Sequence, residues 1–274
     1  MSLLGRALSQ VDSWDVPLRA VAAIDPGMVV TSHGDVSQRT RIASVSKPLF
    51  AYGVLIAIEE GLFGLDDPLG PYGSTVRHLL AHASGLPFVA ADPNRTVPGT
   101  RRVYSNAGFD LLGRHLAERA GMSCADYLRV GVFEPLGMNS TSLEGSVARD
   151  VWSTVNDLSR FACELLKPTL VDRSSLVEAV SVQFPDLAGV LPDFGMHRPC
   201  PWGLGFEIRG YKRPHWTGST NSETTFGHFG ATGSFLWVDP ARDVALICLT
   251  DRQFGDWAKA LWPALSDAVL AGVR

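Results

Sequence analysis

The chain has 274 residues, of which 46% are hydrophobic and 19% charged, a balance typical of a globular protein with ample material for a core. Its net charge of −4 and its lack of any block of like charges exclude the basic surface of a nucleic-acid-binding protein. Its longest strongly apolar run, residues 49–58, is too short to span a bilayer. Residues 1–16 lack the apolar stretch of a signal peptide. We therefore expect a cytoplasmic protein without a membrane partner.

The N-terminal part is predicted to contain two strands followed by a long buried helix. Residues 20–24 and 28–32 have the composition of short strands, and the turn Asp25-Pro26-Gly27 joins them. A helix is predicted from Ser44 to Ile58, where Gly61 supplies the C-terminal stop.

The middle of the chain is predicted to be helical. The helical segments are residues 75–83, 107–120, 124–133, 155–166 and 175–182. Residues 184–202 are rich in proline and glycine, which predicts a long surface excursion or a gate.

Strands return near the C-terminus, at residues 203–208, 233–238 and 244–250, and a helix over residues 257–269 closes the chain. A Pro-containing hairpin turn joins the last two strands. We therefore expect a single α/β domain, in which one antiparallel sheet built from both termini is flanked by helices and a mostly helical lobe is inserted. The sheet lobe should cover residues 1–42 and 203–274, and the helical lobe residues 43–202.

Ser44-Val45-Ser46-Lys47 places a serine and a lysine three positions apart at a predicted helix start. Positions i and i+3 share a helix face, so the Lys47 amine can reach the Ser44 hydroxyl. A serine becomes a good nucleophile when a neighbouring base takes its proton, and burial near a helix N-terminus lowers the pKa of a lysine towards that role. The structural alternative is a capping serine followed by a solvated lysine, and the motif alone does not decide between them.

Tyr104-Ser105-Asn106 is the second candidate motif. Tyr104 is suited to move a proton between Ser44 and a leaving group, and Asn106 to hold Lys47 or orient a substrate. The structural alternative makes Asn106 the N-cap of the next helix and Tyr104 a packing residue. Both interpretations are compatible.

Gly227-His228-Phe229-Gly230-Ala231 lies just before or on a strand of the predicted C-terminal sheet. Its glycines permit close approach of the backbone to a ligand. The N–H groups of Ala231 and Ser44 are then suited to form an oxyanion hole. The structural alternative is a glycine-containing strand with a hydrogen-bonded core histidine.

Taken together in this order, Ser-x-x-Lys, Tyr-x-Asn and His-x-Gly resemble the serine beta-lactamase and penicillin-binding protein-like superfamily. The most similar branch is the class C-related group with family VIII carboxylesterases and D-stereospecific peptidases. Residues 75–86 and 236–240 fit its pattern, and the resemblance covers residues 18–252. It implies a two-lobed fold with an active site at the junction, where Ser44, Lys47 and Tyr104 are catalytic and Asn106, His228, Gly230 and Ala231 bind the substrate or its oxyanion.

The third motif departs from the family pattern. Beta-lactamases carry Lys-Thr-Gly where this chain has His228-Phe229-Gly230. A lysine supplies a fixed positive charge, a histidine is readily neutral at pH 7, and a phenylalanine removes a hydroxyl donor. Recognition of substrates that carry a carboxylate should therefore weaken, which favours neutral esters or amides.

The predicted function is thus a serine hydrolase that forms an acyl-enzyme with a small-molecule ester or amide. A D-Ala-D-Ala-type carboxypeptidase or beta-lactamase is the alternative among enzymes, and a catalytically silent binding module on the same scaffold is the alternative outside them. The oligomeric state stays open.

No metal or organic cofactor is expected. His78 and His82 are four positions apart on a predicted helix, but Leu79 stands where a zinc protease needs glutamate, which favours structural hydrogen bonding. The cysteines show no Cys-x-x-Cys spacing and are predicted to be free thiols, with one disulfide as an alternative. They are Cys124, Cys163, Cys200 and Cys248.

Overall fold

The computed structural model of the chain describes residues 2–273. Within that range the α-helices are α1 (Leu3–Ser9), α2 (Ser46–Glu59), α3 (Val76–Leu80), α4 (Asn106–Ala120), α5 (Cys124–Leu128), α6 (Val155–Leu166), α7 (Arg173–Ala179) and α8 (Asp256–Gly272). The strands are β1 (Arg19–Ile24), β2 (Val30–Gly34), β3 (Thr40–Arg41), β4 (Ser142–Leu143), β5 (Val151–Ser153), β6 (Gly189–Leu191), β7 (Gly195–His197), β8 (Glu207–Ile208), β9 (Phe226–Gly230), β10 (Ser234–Asp239) and β11 (Val244–Thr250). A 3-10 turn, Ala43–Val45, precedes α2, and a π-helical turn, Arg129–Phe133, follows α5.

Six strands form one antiparallel sheet in the order β2-β1-β11-β10-β9-β8. Strand β1 pairs with β11 from the other end of the chain, with Arg19 opposite Thr250 and Ile24 opposite Ala245. The prediction of a sheet built from both termini is therefore confirmed.

The sheet separates two hydrophobic cores, because successive side chains of a strand point to opposite faces. In β11, Ile247 and Leu249 pack into the core that holds α2, α4 and α6, whereas Leu246 and Cys248 pack into the core beneath α1 and α8. All seven residues of β11 are buried as a result. Burial on both faces explains why the sequence of this strand is almost continuously apolar.

Helix α2 is the central helix of the first core, and its residues from Ser46 to Ala57 are all buried. Such a helix is apolar on every side because no side faces water. A Cβ atom at Gly53 would lie 2.4 Å from a Leu128 methyl carbon, so glycine permits the close contact with α5. Gly61, with a φ of 75°, ends the helix as predicted.

Several elements differ from the sequence prediction. Helix α2 begins at Ser46 instead of Ser44, because residues 43–45 form a 3-10 turn, and α7 covers Arg173–Ala179 instead of residues 175–182. Strand β2 starts at residue 30 instead of 28, because the Asp25 carboxylate accepts the N–H groups of Gly27 and Val29 and so extends the turn. The helix predicted over residues 75–83 ends at Leu80, because the following segment includes His82 with a φ of 55°.

The strand predicted over residues 203–208 is shortened to β8. Gly205 has a φ of 84°, and a Cβ atom there would lie 2.2 Å from the Ala51 Cβ, so the backbone turns and touches α2 at this point. Helix α1, the hairpin β6–β7 and the small sheet β3-β5-β4 were not predicted.

Other features bear on ligands and membranes. Between residues 2 and 273, no group of three His, Cys, Asp or Glu side chains is placed to hold a metal ion. None of the helices in the same range combines the length and apolar character needed to cross a membrane. The four cysteines are free thiols.

Candidate active site

Ser44 lies in the 3-10 turn immediately before α2. Its neighbour Ala43 has a φ of 48°, a left-handed conformation that is uncommon for a residue with a side chain. Ser46 holds the turn, because its hydroxyl donates to the Ala43 carbonyl at 2.6 Å and accepts the Val151 N–H at 3.1 Å. The turn presents the partly exposed Ser44 side chain to a cleft that is also lined by Tyr104 and by residues of β9.

Lys47 is completely buried one turn further along, with its amine beside the Ser44 hydroxyl. The Lys47 Nζ lies 3.3 Å from Ser44 Oγ, 2.7 Å from Asn106 Oδ1 and 2.9 Å from the Ala148 carbonyl oxygen. Burial lowers the pKa of Lys47 well below its usual 10.5; the charge of Asp110 opposes this shift and that of Arg149 adds to it.

A neutral amine in this position has a defined hydrogen-bonding direction. It carries two N–H donors and one lone pair, and the Asn106 and Ala148 oxygens can only accept. The two N–H groups are therefore directed to those oxygens, and the lone pair is left on the side of Ser44, whose single O–H can be directed either to this lone pair or to the Tyr104 oxygen. Asn106 is not the N-cap of α4 that the sequence had suggested, because the Ser105 hydroxyl accepts the Gly108 N–H and caps the helix.

Tyr104 places its hydroxyl between Ser44 and His228. The phenol is hydrogen-bonded with the Ser44 side chain, and its oxygen lies 3.3 Å from His228 Nε2. Burial raises the pKa of Tyr104, against a smaller opposing effect of the Ser44 hydrogen bond, so the phenol stays protonated.

His228 is neutral, and its tautomer is fixed by its neighbours. Burial and then the charge of Lys47 lower the pKa of His228 to about 3. Its Nδ1 lies 2.6 Å from the Phe229 carbonyl oxygen, which can only accept, so Nδ1 carries the proton. Nε2 is consequently an acceptor, and the Tyr104 O–H donates to it.

Gly230 brings strand β9 against the Ser44 turn. A Cβ atom at this position would lie 2.5 Å from the Ile42 carbonyl oxygen and 2.6 Å from Ser234 Oγ. The Ser234 hydroxyl donates to the same Ile42 oxygen at 2.9 Å and links the sheet to the turn. Glycine is thus required for the close approach, which places Ala231 at the cleft beside Ser44.

His82, which sequence reasoning treated only as a structural histidine, holds the segment that carries Tyr104. Its carbonyl accepts the Val103 N–H at 2.8 Å, and its Nδ1 accepts the Ser105 N–H at 3.1 Å. Its ring packs on the Tyr104 ring with centroids 4.6 Å apart and meets Trp202 edge-on at 4.7 Å. Burial lowers the pKa of His82 well below its usual value, which keeps Nδ1 free to accept.

Replacement of His82 is expected to disturb the position of Tyr104 more than substrate binding. His82→Ala should lower kcat of an ester hydrolysis by about 10- to 100-fold with little change in KM, because small displacements of a reacting group have effects of this size. His82→Asn should recover part of the loss, since asparagine tolerates a positive φ and offers an accepting oxygen. A wild-type kcat for folded His82→Ala would rule out this positioning role.

Ser44 lies where two cavities meet. The larger, of about 590 Å³, is named the apolar chamber; its characteristic lining residues are Val190, Leu191, Trp202, Phe229 and Phe254. The smaller, of about 430 Å³, is named the polar groove; its characteristic lining residues are Arg41, Asn106, Arg149, Thr232 and Asp251.

The predicted excursion over residues 184–202 forms part of the wall of the apolar chamber through hairpin β6–β7. Arg102 fixes this segment: its buried guanidinium donates to the carbonyls of Cys200 at 2.6 Å and Gln183 at 2.8 Å, and also to that of Ala81. Burial lowers the pKa of Arg102 to about 10. Trp216 is a core residue whose Nε1 donates to Glu207.

The predicted site residues thus converge from distant parts of the chain. The structure places Ser44, Lys47, Tyr104 and His228 in one hydrogen-bonded group, with Asn106 bound to Lys47. Gly230 and Ala231 lie alongside, at the end of β9. His82 and Arg102 hold neighbouring segments of the site in place, and neither belongs to the three motifs.

Comparison with known proteins identifies the family. The sequence profile of the beta-lactamase family matches residues 13–270, so the chain belongs to this family. Members of the family are hydrolases. The resemblance inferred from the motifs is therefore confirmed. Penicillin-binding protein 4* of Bacillus subtilis is 34% identical over 132 residues, which cover 36% of this chain and 29% of that protein. The chain therefore matches less than a third of that relative's length.

Solved structures agree with this assignment. A beta-lactamase from Mycobacterium bovis is 52% identical, with a TM-score of 0.95 over 97% of this chain and 98% of that one. A D-stereospecific amidohydrolase from Streptomyces has a TM-score of 0.72 at 20% identity, over 94% and 96% of the two chains, and shares the fold.

Proposed function

We propose that the protein is a serine hydrolase that forms an acyl-enzyme on Ser44 and acts, like an esterase, on small esters or amides. The observation that carries this proposal is the buried Lys47 amine, whose Nζ lies within hydrogen-bond distance of Ser44 Oγ, Asn106 Oδ1 and the Ala148 carbonyl oxygen. A solvated surface lysine would have none of these constraints.

Lys47 is a better candidate for the general base than His228. A histidine with a pKa near 3 cannot hold a proton at neutral pH, although it can accept a hydrogen bond. The Lys47 amine lies 3.3 Å from Ser44 Oγ, and its lowered pKa increases the neutral fraction that can take the Ser44 proton. We therefore assign the base role to Lys47 and an orienting role to His228, which holds the Tyr104 hydroxyl.

Acylation follows from these assignments. Ser44 Oγ attacks the substrate carbonyl carbon while its proton passes to Lys47 Nζ. The N–H groups of Ser44 and Ala231 stabilise the oxyanion. When the bond to the leaving group breaks, Tyr104 supplies a proton to the departing oxygen or nitrogen. Lys47 then returns a proton to Tyr104. The net result is transfer of the Ser44 proton to the leaving group.

Deacylation repeats these steps with water as the nucleophile. Water occupies the side that the leaving group has vacated. As it attacks the acyl carbon, it gives a proton to Tyr104, whose own proton passes to Lys47. The Ser44 oxygen then leaves and takes that proton back.

The electrostatics of the third motif favour neutral substrates. The His228 ring is buried and uncharged, so it offers no positive charge to a substrate carboxylate. Phe229 provides an apolar ring at the chamber wall. Beta-lactam hydrolysis is the second candidate, because the Mycobacterium bovis protein with 52% identity is described as a beta-lactamase.

A direct test compares short-chain p-nitrophenyl esters with nitrocefin for wild-type protein and Ser44→Ala. We expect ester turnover that depends on Ser44 and exceeds nitrocefin turnover. Nitrocefin turnover far above ester turnover would reverse the ranking of the two substrate classes. Failure to turn over either substrate, together with no covalent adduct from a fluorophosphonate, would favour a binding module.

The pH dependence should report the protonation of Lys47. As the pH falls below the lowered pKa of this lysine, protonation removes the lone pair, so kcat/KM for ester hydrolysis should decrease towards acid pH. Burial also disfavours the protonated form in the folded protein, so the unfolded chain binds one more proton between the two pKa values. Folding stability should therefore rise with pH in that window, by at most about 1.4 kcal/mol per pH unit from this group.

The effect on folding stability can be assigned with Lys47→Met. The free energy of unfolding of wild type and Lys47→Met should be measured with denaturant over a pH series. The rise of this free energy with pH should be smaller in the variant, because the contribution of Lys47 is absent. Identical slopes for the two proteins would contradict a lowered pKa for Lys47.

A further inference from the structure

We propose that the preferred substrates carry their apolar bulk in the leaving group, an apolar alcohol or amine, and have a compact acyl part. This inference rests on the proposed hydrolase function and assigns the two cavities beside Ser44 to the two halves of the substrate. Its basis is the contrast between the apolar chamber and the polar groove.

Ser44, Phe88, Ala231 and Gln253 line both cavities, so the nucleophile stands at their junction. A substrate whose carbonyl carbon reaches Ser44 must extend one part into each cavity. The substrate halves are therefore sorted by the chemistry of the walls.

Tyr104 determines which half enters which cavity. Tyr104 and His228 line the apolar chamber and not the polar groove, whereas Asn106 lines the polar groove and not the chamber. The Tyr104 hydroxyl supplies the proton to the departing atom, so the leaving group must lie on its side. The apolar chamber is therefore the leaving-group site, and the acyl group points towards the polar groove.

Two of the four charged residues that line the chamber already have partners within the protein, whereas the other two, Arg101 and Asp193, are exposed. The Glu207 carboxylate pairs with Lys212 on one oxygen and accepts from His215 and Trp216 on the other. The Arg102 guanidinium donates to backbone carbonyls. Apart from the exposed Arg101 and Asp193, an incoming group meets mainly the rings of Trp202, Phe229 and Phe254 and the apolar side chains of hairpin β6–β7.

Polar atoms make up a larger share of the wall in the polar groove than in the apolar chamber. Arg41 forms an ion pair with Asp150 at 2.7 Å, and Arg149 and Asp251 add further charges beside Asn106. An extended apolar acyl chain would have to displace water from these groups without replacing its hydrogen bonds, which is unfavourable. A compact acyl group avoids that cost.

Two isomeric esters test the inference directly. Benzyl acetate and methyl phenylacetate have the same atoms and leaving groups of similar acidity, but benzyl acetate has the apolar ring in the alcohol and methyl phenylacetate in the acid. Water converts benzyl acetate to benzyl alcohol and acetic acid, and methyl phenylacetate to methanol and phenylacetic acid. We expect kcat/KM for benzyl acetate to be higher by about tenfold or more, the size of effect that apolar pockets produce.

Equal values, or a preference for methyl phenylacetate, would overturn the inference and leave the hydrolase function intact. Hydrolysis of neither isomer would count against the inference, and labelling of Ser44 by a fluorophosphonate would then show whether the hydrolase function also fails.

A matched pair of variants on hairpin β6–β7 locates the preference. Val190 lines the chamber and is 46% exposed; its cross-strand neighbour Met196 is 48% exposed and does not line it. Val190→Asp should reduce the ratio of benzyl acetate to methyl phenylacetate kcat/KM at least about threefold, because it introduces a charge into the apolar wall. Met196→Asp should leave the ratio unchanged. An unchanged ratio in Val190→Asp, or an equal fall in both variants, would refute the chamber as the leaving-group site.

Discussion

Lys47→Met is expected to lose ester hydrolysis by roughly four orders of magnitude, because the variant lacks the group that accepts the Ser44 proton. Methionine has a similar length and suits a fully buried position, so the side chain should still fill the space beside Ser44. The measurement is kcat/KM for a short-chain ester, with circular dichroism to establish that the variant is folded.

Lys259→Met provides the control, since this lysine lies on α8 and pairs with the exposed Asp256. Its activity should match that of wild type. A folded Lys47→Met protein with activity within about tenfold of wild type would show that another group serves as the base.

Tyr104→Phe is expected to have an effect that depends on the leaving group. For alkyl esters, kcat should fall by about 100- to 1,000-fold, because an alkoxide leaves poorly without a proton. For p-nitrophenyl esters the initial burst of p-nitrophenolate, which reports acylation alone, should slow by less than about tenfold, since p-nitrophenolate is stable without protonation. The phenylalanine ring keeps the packing against His82 and Trp202, so the fold should be retained.

Tyr211→Phe is the matched control, because this tyrosine is 80% exposed and lies outside both cavities. Equal losses of Tyr104→Phe on both ester classes would contradict the role of Tyr104 as proton donor to the leaving group. The loss of activity would then be attributed to a defect in acyl transfer itself.

Much of the fold was predictable because its elements have strong local signals. Strand β11 and helix α6 have the predicted bounds, since β11 is almost continuously apolar and α6 has an apolar stripe at helical spacing. The short strands β3 to β7 were missed, because segments of two or three residues carry too little periodicity. Strand β2 was shifted by a side-chain hydrogen bond from Asp25, which hydrophobic patterning does not reveal.

The candidate site was predictable where residue type and spacing carry the chemistry. Ser44 and Lys47 are three positions apart, and the structure brings their side chains within 3.3 Å although Ser44 lies in a 3-10 turn. His82 and Arg102 could not be found in this way. They act through backbone carbonyls and N–H groups whose positions depend on the tertiary fold.

The central claim is that the Ser44 hydroxyl is activated for covalent attack, and reaction with a fluorophosphonate followed by peptide mass spectrometry tests it most directly. Wild-type protein should acquire one adduct, on the peptide that contains Ser44. Labelling should vanish in Ser44→Ala, persist in the exposed-site variant Ser140→Ala, and slow markedly in Lys47→Met. Wild-type protein that stays unlabelled, or a Ser44→Ala variant that is labelled as fast as wild type, would contradict the claim.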